Sequence, residues 1–239
     1  MNLGAAFITG SANRIGKAMA LSLAEKGWNI AIHYNSSQVA AKELEEEIKA
    51  MGQKAIILKA DLADKIEAKK LFKEARVKLG KPINLLINNA SLFEDDNIKT
   101  INKKSFQDHI DINLWAPILL SKIFTKDSDT GNIINIIDQR VLNPKAGFLS
   151  YTMAKSTLLT FTKILAQEVA PSFRVNAICP GPVLQSIHQS EADFKLEVGS
   201  LLLKIAPTVE DINRAISFIL ATPSLTGEII TLDGGQHLQ

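Results

Sequence analysis

Short, β-branched apolar runs alternate with amphipathic segments along the whole of this 239-residue chain. The apolar runs predict seven strands, at 5–9, 28–34, 54–60, 84–88, 132–137, 174–179 and 228–232. Each run is apolar on both faces, which is typical of strands buried between two layers of helices. Strands that alternate with helices indicate parallel pairing and right-handed crossovers. The sequence therefore predicts an α/β fold, a doubly wound parallel sheet of seven strands with helices on both faces.

The amphipathic segments predict six helices, at 14–26, 37–51, 65–79, 103–124, 151–169 and 209–220. No linker divides the chain, so we expect residues 1–239 to form a single domain. Residues 181–201, rich in Ser, Gln and His, have no clear strand or helix pattern. Because they follow the sixth strand, at the edge where open α/β sheets bind ligands, we interpret them as a substrate-covering segment. An ordinary surface loop is the alternative.

Composition limits the classes of partner. The 27 Lys and Arg nearly balance the 25 Asp and Glu, and no block of like charges indicates a nucleic-acid arm. The chain has one cysteine, Cys179, and four histidines without metal-ligand spacing: His33, His109, His188 and His237. No apolar run is long enough to cross a bilayer, and no leader pattern is evident. We therefore expect a cytoplasmic protein with a small-molecule substrate and no metal, nucleic-acid or membrane partner.

A glycine-rich turn connects the first strand to the first helix. It reads Thr9-Gly10-Ser11-Ala12-Asn13-Arg14-Ile15-Gly16. Gly10 permits the tight turn, and Gly16 allows the helix to lie close to the sheet. The N-terminus of that helix offers N–H groups and a positive dipole end to a pyrophosphate. This context predicts a dinucleotide-binding fold of the Rossmann type.

The end of the second strand bears on the choice of cofactor. NAD-specific sites place Asp or Glu there to bind the ribose 2′-hydroxyl. This chain has His33-Tyr34-Asn35-Ser36-Ser37 instead, with no carboxylate before Glu43. Amide and hydroxyl groups can donate hydrogen bonds to a 2′-phosphate, which a carboxylate would repel. NADP is therefore favoured, and NAD is not excluded. The same residues also fit a strand end followed by a helix N-cap at Ser36 or Ser37.

Tyr151 and Lys155 are four residues apart at the start of a predicted helix, which places both side chains on one face. A lysine cation near the phenol favours the phenolate, so we expect Lys155 to lower the pKa of Tyr151. Such a tyrosine can donate a proton to a substrate while a nicotinamide delivers hydride. A purely structural role for the pair is the alternative.

These motifs resemble the short-chain dehydrogenase/reductase family, whose turn usually reads T-G-x-x-x-G-I-G. Arg14 stands where the middle glycine of that turn is usual. Family members carry a serine 13 residues before the tyrosine, and this chain has Asp138. Arg14, His33-Tyr34, Phe93 and Asp138 all resemble the pteridine-reductase branch. A solvated arginine is the alternative for Arg14, and a changed serine in a carbonyl reductase or an inactive chain is the alternative for Asp138.

The resemblance assigns roles to further positions. Asp61 and Leu62 would contact adenine, although Asp61 is also a candidate helix N-cap. Asn88-Asn89-Ala90-Ser91 and Pro180-Gly181-Pro182-Val183 match family turns at the cofactor. Together, the patterns and the resemblance predict a cofactor-binding set: Gly10, Asn13, Arg14, Ile15, Gly16, His33, Tyr34, Asn35, Ser36, Ser37, Asp61, Leu62, Asn89, Ala90, Ser91, Tyr151, Lys155, Pro180, Gly181 and Val183.

The predicted catalytic residues are Tyr151, Lys155, Asp138 and Asn113; in relatives, a helix distortion at the matching asparagine holds a water linking the lysine to solvent. The predicted substrate-binding residues are Arg14, Ser91, Phe93, Asp138 and Tyr151. Phe93 would stack on a flat heterocycle, as in pteridine reductases, with a core or lid role as the alternative.

The resemblance implies an NADPH-dependent oxidoreductase that reduces a C=N bond of a pterin or dihydropterin. Reduction of a 3-oxoacyl thioester or another carbonyl is the first alternative, and a non-catalytic nucleotide-binding regulator is the second. Relatives commonly assemble through their last strand and two long helices, so we expect a homo-oligomer, a tetramer by resemblance.

Overall fold

A computed structural model of the chain describes residues 4–186 and 189–239. Its strands are β1 (Ala5–Ile8), β2 (Asn29–Tyr34), β3 (Ala55–Lys59), β4 (Ile83–Asn88), β5 (Gly131–Ile136), β6 (Phe173–Pro180) and β7 (Ile229–Leu232). All pair in parallel in one sheet, in the order β3-β2-β1-β4-β5-β6-β7. The predicted doubly wound α/β fold is confirmed.

The helices are α1 (Arg14–Glu25), α2 (Gln38–Ala50), α3 (Lys65–Leu79), α4 (Lys103–Ile110), α5 (Ala116–Asp127), α6 (Leu149–Glu168), α7 (Glu191–Ser200) and α8 (Val209–Ala221). A π-helical turn at Asp111–Trp115 interrupts the helix predicted at 103–124 and separates α4 from α5. A further correction concerns the segment at 181–201, which contains α7. A capping box between Ser190 and Asp193 begins this helix, and its Ser-x-x-Asp spacing was visible in the sequence.

Two apolar layers cover the sheet, one on each face. Met19 of α1, Leu44 of α2 and Ile212 of α8 belong to one buried cluster. The other cluster contains Phe72 of α3 and Phe124 of α5, whose ring centroids are 5.8 Å apart. Successive β1 residues alternate between the two clusters, which explains why the strand is apolar throughout.

The strand order reverses beside β1, which pairs with β2 on one side and β4 on the other. Connections leave in opposite directions at this switch point, so a crevice opens at the carboxyl ends of the strands. The turn after β1 and the loop after β4 meet there: the Thr9 hydroxyl oxygen accepts the N–H groups of Asn89 and Ala90, each at 2.9 Å.

In the described ranges, no helix combines the length and apolarity that crossing a membrane requires. The same residues contain no cluster of three or more His, Cys, Asp or Glu side chains arranged to hold a metal ion.

Candidate active site

A cleft of about 920 Å³ lies at the carboxyl edge of the sheet, where the structure gathers most of the predicted site residues. Those that line it are Gly10, Asn13, Arg14, Ile15, Gly16, His33, Asn35, Asp61, Leu62, Asn89, Ala90, Ser91, Phe93, Asp138, Tyr151, Lys155, Pro180, Gly181 and Val183. Leu184, Ser186, Gln189 and Glu197 border it too, so the described part of the segment at 181–201 faces this cleft. His188 falls outside the described residues.

Four predicted site residues are not among those that line the cleft: Tyr34, Ser36, Ser37 and Asn113. Tyr34 is buried in the apolar cluster with α1 and α2, because its neighbour His33 takes the cleft-facing position at the end of β2. Ser37 occupies the N-cap position of α2, although its side chain makes no capping hydrogen bond.

The nucleotide turn depends on two glycines. Gly10 has φ +62°, a backbone conformation that residues other than glycine rarely adopt. A Cβ on Gly16 would lie 2.3 Å from the Gly10 carbonyl oxygen, so α1 approaches the turn as closely as a backbone permits. The Asn13 side chain makes no capping hydrogen bond at the start of α1. The turn therefore offers an uncapped helix N-terminus to the cleft, which suits an anionic group.

Arg14 spans the mouth of the cleft. Its φ of +52° lies in the left-handed region, which accounts for the glycine that resembling turns carry there. The guanidinium donates to the Gln185 carbonyl at 2.8 Å and to the Leu184 carbonyl at 3.5 Å. Arg14 thus ties the nucleotide turn to the segment after β6.

The His33 side chain stabilises the glycine-rich turn through a hydrogen bond. Its Nδ1 accepts the Gly10 N–H at 3.0 Å, and its Nε2 lies 3.1 Å from the Ala60 carbonyl, to which it donates. Burial lowers the pKa of His33 to about 4. At neutral pH the ring is therefore uncharged, and it shapes the turn without adding a positive charge.

The alternative interpretation of Asp61 as a helix cap does not hold. Asp64 is the N-cap of α3 and accepts the N–H groups of Ile66 and Glu67. Asp61 instead accepts the N–H of Ala63 at 3.0 Å and lines the cleft just after the end of β3. Its position agrees with the predicted contact to the nucleotide.

Asn113 lies in the π-helical turn, which confirms the expected local helix distortion. Its Oδ1 accepts the Ser91 hydroxyl at 3.0 Å and the Leu92 N–H at 2.8 Å, and its Nδ2 donates to the Leu92 carbonyl at 2.8 Å. The side chain is fully buried. Asn113 therefore holds the loop after β4 in place, directly before Phe93.

Asp138 and Tyr151 are joined by a hydrogen bond at one end of the cleft. We call this part, which also contains Lys155 and Phe93, the reducing end. The Tyr151 hydroxyl donates to Asp138 Oδ2 at 2.9 Å, while Asp138 Oδ1 accepts the backbone N–H of Arg140 at 2.8 Å. Lys155 is 2% exposed, and its ammonium donates to the Ile136 carbonyl at 2.8 Å. The end of β5 and the start of α6 thus bring together three of the four predicted catalytic side chains, those of Asp138, Tyr151 and Lys155.

The electrostatics of this trio correct one expectation. Burial raises the pKa of Tyr151 well above its ordinary value, and the Asp138 charge raises it further, so Lys155 does not lower it as expected. The reason is geometric, because the phenol bonds a carboxylate while the Lys155 ammonium is 5.8 Å from the ring centroid. Burial also raises the pKa of Asp138 and lowers that of Lys155 to about 8. Both groups of the hydrogen-bonded pair therefore favour their protonated forms.

Three aromatic rings form one wall beside this pair. Phe93 stacks on Phe148 with centroids 4.3 Å apart and planes 7° apart, and it meets Tyr151 edge-on at 4.8 Å. Phe93 lines the cleft as predicted, and Phe148, which stacks on it, lines the cleft as well. The sequence reasoning missed Phe148, since one phenylalanine in an irregular stretch carries no periodic signal.

An acidic segment after β4 holds the start of α6. Asp96, which is buried, accepts the N–H of Ser150 at 2.9 Å and also its hydroxyl, and Asp95 accepts the Phe148 N–H at 2.8 Å. Phe148 has φ +52°, a strained value for a side-chain-bearing residue. These bonds stabilise the turn that positions Tyr151, and the sequence analysis missed them because the partners are more than 50 positions apart.

Comparison with known proteins agrees with this geometry. Residues 4–195 match the family described as short chain dehydrogenase. The chain belongs to the short-chain dehydrogenase/reductase family, which confirms that prediction and the prediction of an oxidoreductase.

Relatives of this chain include an uncharacterized oxidoreductase and 3-oxoacyl-[acyl-carrier-protein] reductases. The uncharacterized oxidoreductase YjdA of Bacillus subtilis is 34% identical over 241 residues, covering 96% of this chain and 95% of that protein. The 3-oxoacyl-[acyl-carrier-protein] reductase FabG of Staphylococcus aureus is 30% identical over 246 residues, covering 98% of each.

Among solved structures, FolM alternative dihydrofolate reductase 1 from Brucella suis, in complex with NADP, superposes with a TM-score of 0.95 at 38% identity. The match covers 100% of this chain and 96% of that one. The resemblance to the dihydrofolate and pteridine reductase branch is therefore supported by structure as well as by motifs. The nucleotide in that structure agrees with the cofactor predicted for this chain.

Proposed function

We propose that this protein is an NADPH-dependent reductase that adds a hydride to a C=N bond of a pterin or dihydropterin. One observation carries the proposal: Asp138, at the position where family relatives orient a carbonyl with serine, forms a 2.9 Å hydrogen bond with Tyr151 in the nucleotide cleft. A carboxyl group suits the protonation of a ring nitrogen, and it also hydrogen-bonds the nitrogen-rich edge of a pterin.

The residues fit the proposed cofactor. The glycine turn and the uncapped N-terminus of α1 would hold the pyrophosphate. The cleft beyond β2 is bordered by Asn35 and an uncharged His33, so no carboxylate directly after β2 opposes a 2′-phosphate. When bound, NADPH supplies the hydride with its electron pair and leaves as NADP⁺. The NADP in the similar FolM structure supports this choice over NAD.

The chain's own residues would supply the proton that balances this hydride. Burial raises the pKa of Asp138, so its acid form is available to protonate the substrate nitrogen. Tyr151 keeps its proton and hydrogen-bonds the carboxylate that remains, until Asp138 takes up a proton from water. Lys155 adds a nearby positive charge that stabilises that carboxylate. Asn113 would act by fixing the loop that carries Ser91 and Phe93.

Reduction of a 3-oxoacyl thioester is the second candidate function. The similarity to FabG and the Tyr151–Lys155 pair favour it, because a tyrosine beside a lysine can donate the proton that a carbonyl oxygen takes up. Asp138 argues against it, because it replaces the serine that orients the carbonyl oxygen in carbonyl-reducing relatives.

A steady-state assay of NADPH oxidation with dihydrobiopterin, dihydrofolate and acetoacetyl-CoA tests the proposal. We expect turnover of at least one dihydropterin and a kcat/KM for acetoacetyl-CoA that is at least tenfold lower. Turnover of the thioester alone would overturn the pterin assignment. Replacing NADPH by NADH in the same assay measures the cofactor preference, which we expect to favour NADPH.

Two features of the surroundings belong to the same proposal. The segment at 181–201, with α7, would cover the substrate, because Gln189 and Glu197 border the cleft. The enzyme would act in the cytoplasm as a homo-oligomer, with the half-buried edge strand β7 and the exposed Phe218 of α8 as candidate contacts. Light scattering after size-exclusion chromatography measures the oligomer size, for which a tetramer is expected.

A further inference from the structure

Three cationic side chains are among those that line the cleft in the described parts of the chain: Arg14, Arg140 and Lys155. Two of them have carbonyl partners, since Arg14 donates to Gln185 and Lys155 donates to Ile136. The Arg140 side chain makes no hydrogen bond or ion pair with any described residue, and its buried Nη1 lacks an acceptor. A guanidinium held partly out of water costs free energy when its buried N–H groups lack an acceptor. This guanidinium is therefore suited to an incoming anion.

The surroundings of Arg140 keep its guanidinium in one place. Its Cζ lies 4.7 Å from the centroid of the Phe148 ring, which in turn stacks on Phe93. Its backbone N–H donates to Asp138, which fixes the residue within the short 3₁₀ turn, Gln139–Val141, that follows the catalytic carboxylate. An arginine stacked on a ring loses little conformational freedom when it binds a ligand, and its planar fork matches carboxylate and phosphate oxygens.

The location also restricts which part of a substrate Arg140 contacts. Arg140 contacts Phe148, and Phe148 stacks on Phe93, the ring on which a flat heterocycle would stack. Tyr151, which Phe93 meets edge-on, and Asp138, its hydrogen-bond partner, would contact the reacting ring. A substituent that extends from the ring along the two phenylalanines would therefore approach Arg140.

We propose that Arg140 binds an anionic group, a carboxylate or a phosphate, on the substituent of the dihydropterin, and so makes the enzyme selective for acidic dihydropterins over neutral ones. This inference rests on the proposed function and narrows its substrate class. It also makes the charge of Arg140 a binding determinant, with the proton chemistry left to Asp138 and Tyr151.

A competing role for Arg140 is to tune the catalytic carboxyl, because its charge lowers the pKa of Asp138. The two roles differ in what they change. Loss of a tuning charge alters kcat and its pH profile for every substrate. Loss of an anion-binding group raises KM only for substrates that carry the anion.

The test compares wild type, Arg140→Gln and the control Lys145→Gln, which removes an exposed cation from the same loop. The substrates are dihydrofolate, with carboxylates, dihydroneopterin triphosphate, with phosphates, and dihydrobiopterin, with neither. Kinetics are measured at saturating NADPH, and the NADPH Kd of each variant serves as the check on folding.

In Arg140→Gln, the KM for the acidic substrate should rise about 10- to 100-fold, as expected for loss of a hydrogen bond to a charged group. The ratio of kcat/KM between the acidic substrate and dihydrobiopterin should fall by at least tenfold, and Lys145→Gln should keep the wild-type ratio. Whichever of dihydrofolate and the triphosphate shows the larger change identifies the anion.

An equal loss for acidic and neutral dihydropterins, or a change in kcat alone, would overturn the inference and leave the proposed function intact. If wild type turns over no dihydropterin, the proposed function fails and this inference fails with it. The wild-type arm therefore separates the two failures.

Discussion

The two ends of the cleft are built in different ways. At the nucleotide end, the turn is made of backbone: Gly10 has a left-handed φ, and Gly16 leaves no room for a Cβ. At the reducing end, the site is made of side chains from three separate segments, because Tyr151 directly contacts both Asp138 and Phe93. The first end presents one nucleotide-binding surface, whereas the second can change its chemistry through single substitutions.

This difference separates binding from chemistry. Substitutions at the glycine turn should change the affinity for nucleotide, and substitutions in the Asp138–Tyr151 network should change turnover while the nucleotide still binds. Four predictions test that separation.

The largest effect is expected for Tyr151→Phe, which removes the hydroxyl bonded to Asp138. We expect kcat to fall roughly 100- to 1000-fold, since the hydroxyl stabilises the carboxylate that Asp138 becomes after it gives its proton to the substrate. The Kd for NADPH, measured by fluorescence titration, should stay within about twofold, because no nucleotide-turn contact changes. Turnover that survives this change would remove the support for a catalytic Tyr151.

The second effect concerns the nucleotide end. In Gly16→Ala, the new Cβ would lie 2.3 Å from the Gly10 carbonyl oxygen, so the turn must shift. We expect the Kd for NADPH to rise by about 30-fold, equivalent to about 2 kcal/mol. Gly199→Ala is the matched control, since a Cβ there meets nothing within 4 Å and alanine favours a helix. An unchanged Kd in Gly16→Ala would show that the turn is not the binding surface.

The third effect is a pH dependence of stability at His33. The pKa of His33 in the folded protein, about 4, lies below the ordinary histidine value of 6.5, so the unfolded chain binds the proton first as the pH falls. Stability is therefore complete above pH 6.5 and decreases toward pH 4; between pH 7 and 5 the loss is about 2 kcal/mol. Urea unfolding at the two pH values measures it, and His33→Asn should lose less over the same interval. An equal loss in both proteins would assign the effect to other groups.

The smallest effect is expected for Asp96→Asn, which weakens the clamp on the start of α6. Loss of a helix-terminal acceptor typically costs about 1 kcal/mol of stability. We expect kcat to fall about tenfold through misplacement of Tyr151, with little change in the Kd for NADPH. Asp129→Asn, at an exposed loop position, serves as the control. A loss of nucleotide affinity as large as the loss of kcat would contradict the separation between the two ends.

The nucleotide end was the more predictable part of the site from sequence. Its signals are local: a strand, two glycines and a helix within a dozen residues, so the turn at 9–16 needed no knowledge of the rest of the fold. The parallel pairing of the strands follows from the alternation of elements, because parallel strands require crossovers. The pairing of Tyr151 with Lys155 is local in the same sense.

Apart from the Tyr151–Lys155 pair, the reducing end was predictable only where family resemblance supplied the residue, as for Asp138 and Phe93. Asp96, Arg140 and Phe148 were missed because their contacts join positions that no short pattern connects. The pKa of Tyr151 was misjudged for the same reason, since burial and the Asp138 charge act across the fold. The start of α7 was a local signal that the analysis of 181–201 overlooked.

The central claim is that Asp138 makes the reducing end suited to a C=N substrate. The most direct measurement compares kcat/KM for a dihydropterin with kcat/KM for acetoacetyl-CoA in wild type and in Asp138→Ser, which restores the residue usual in carbonyl-reducing relatives. The account predicts that wild type prefers the dihydropterin and that the preference falls by at least 100-fold in Asp138→Ser. A wild-type preference for the thioester, or a ratio that Asp138→Ser leaves unchanged, would contradict it.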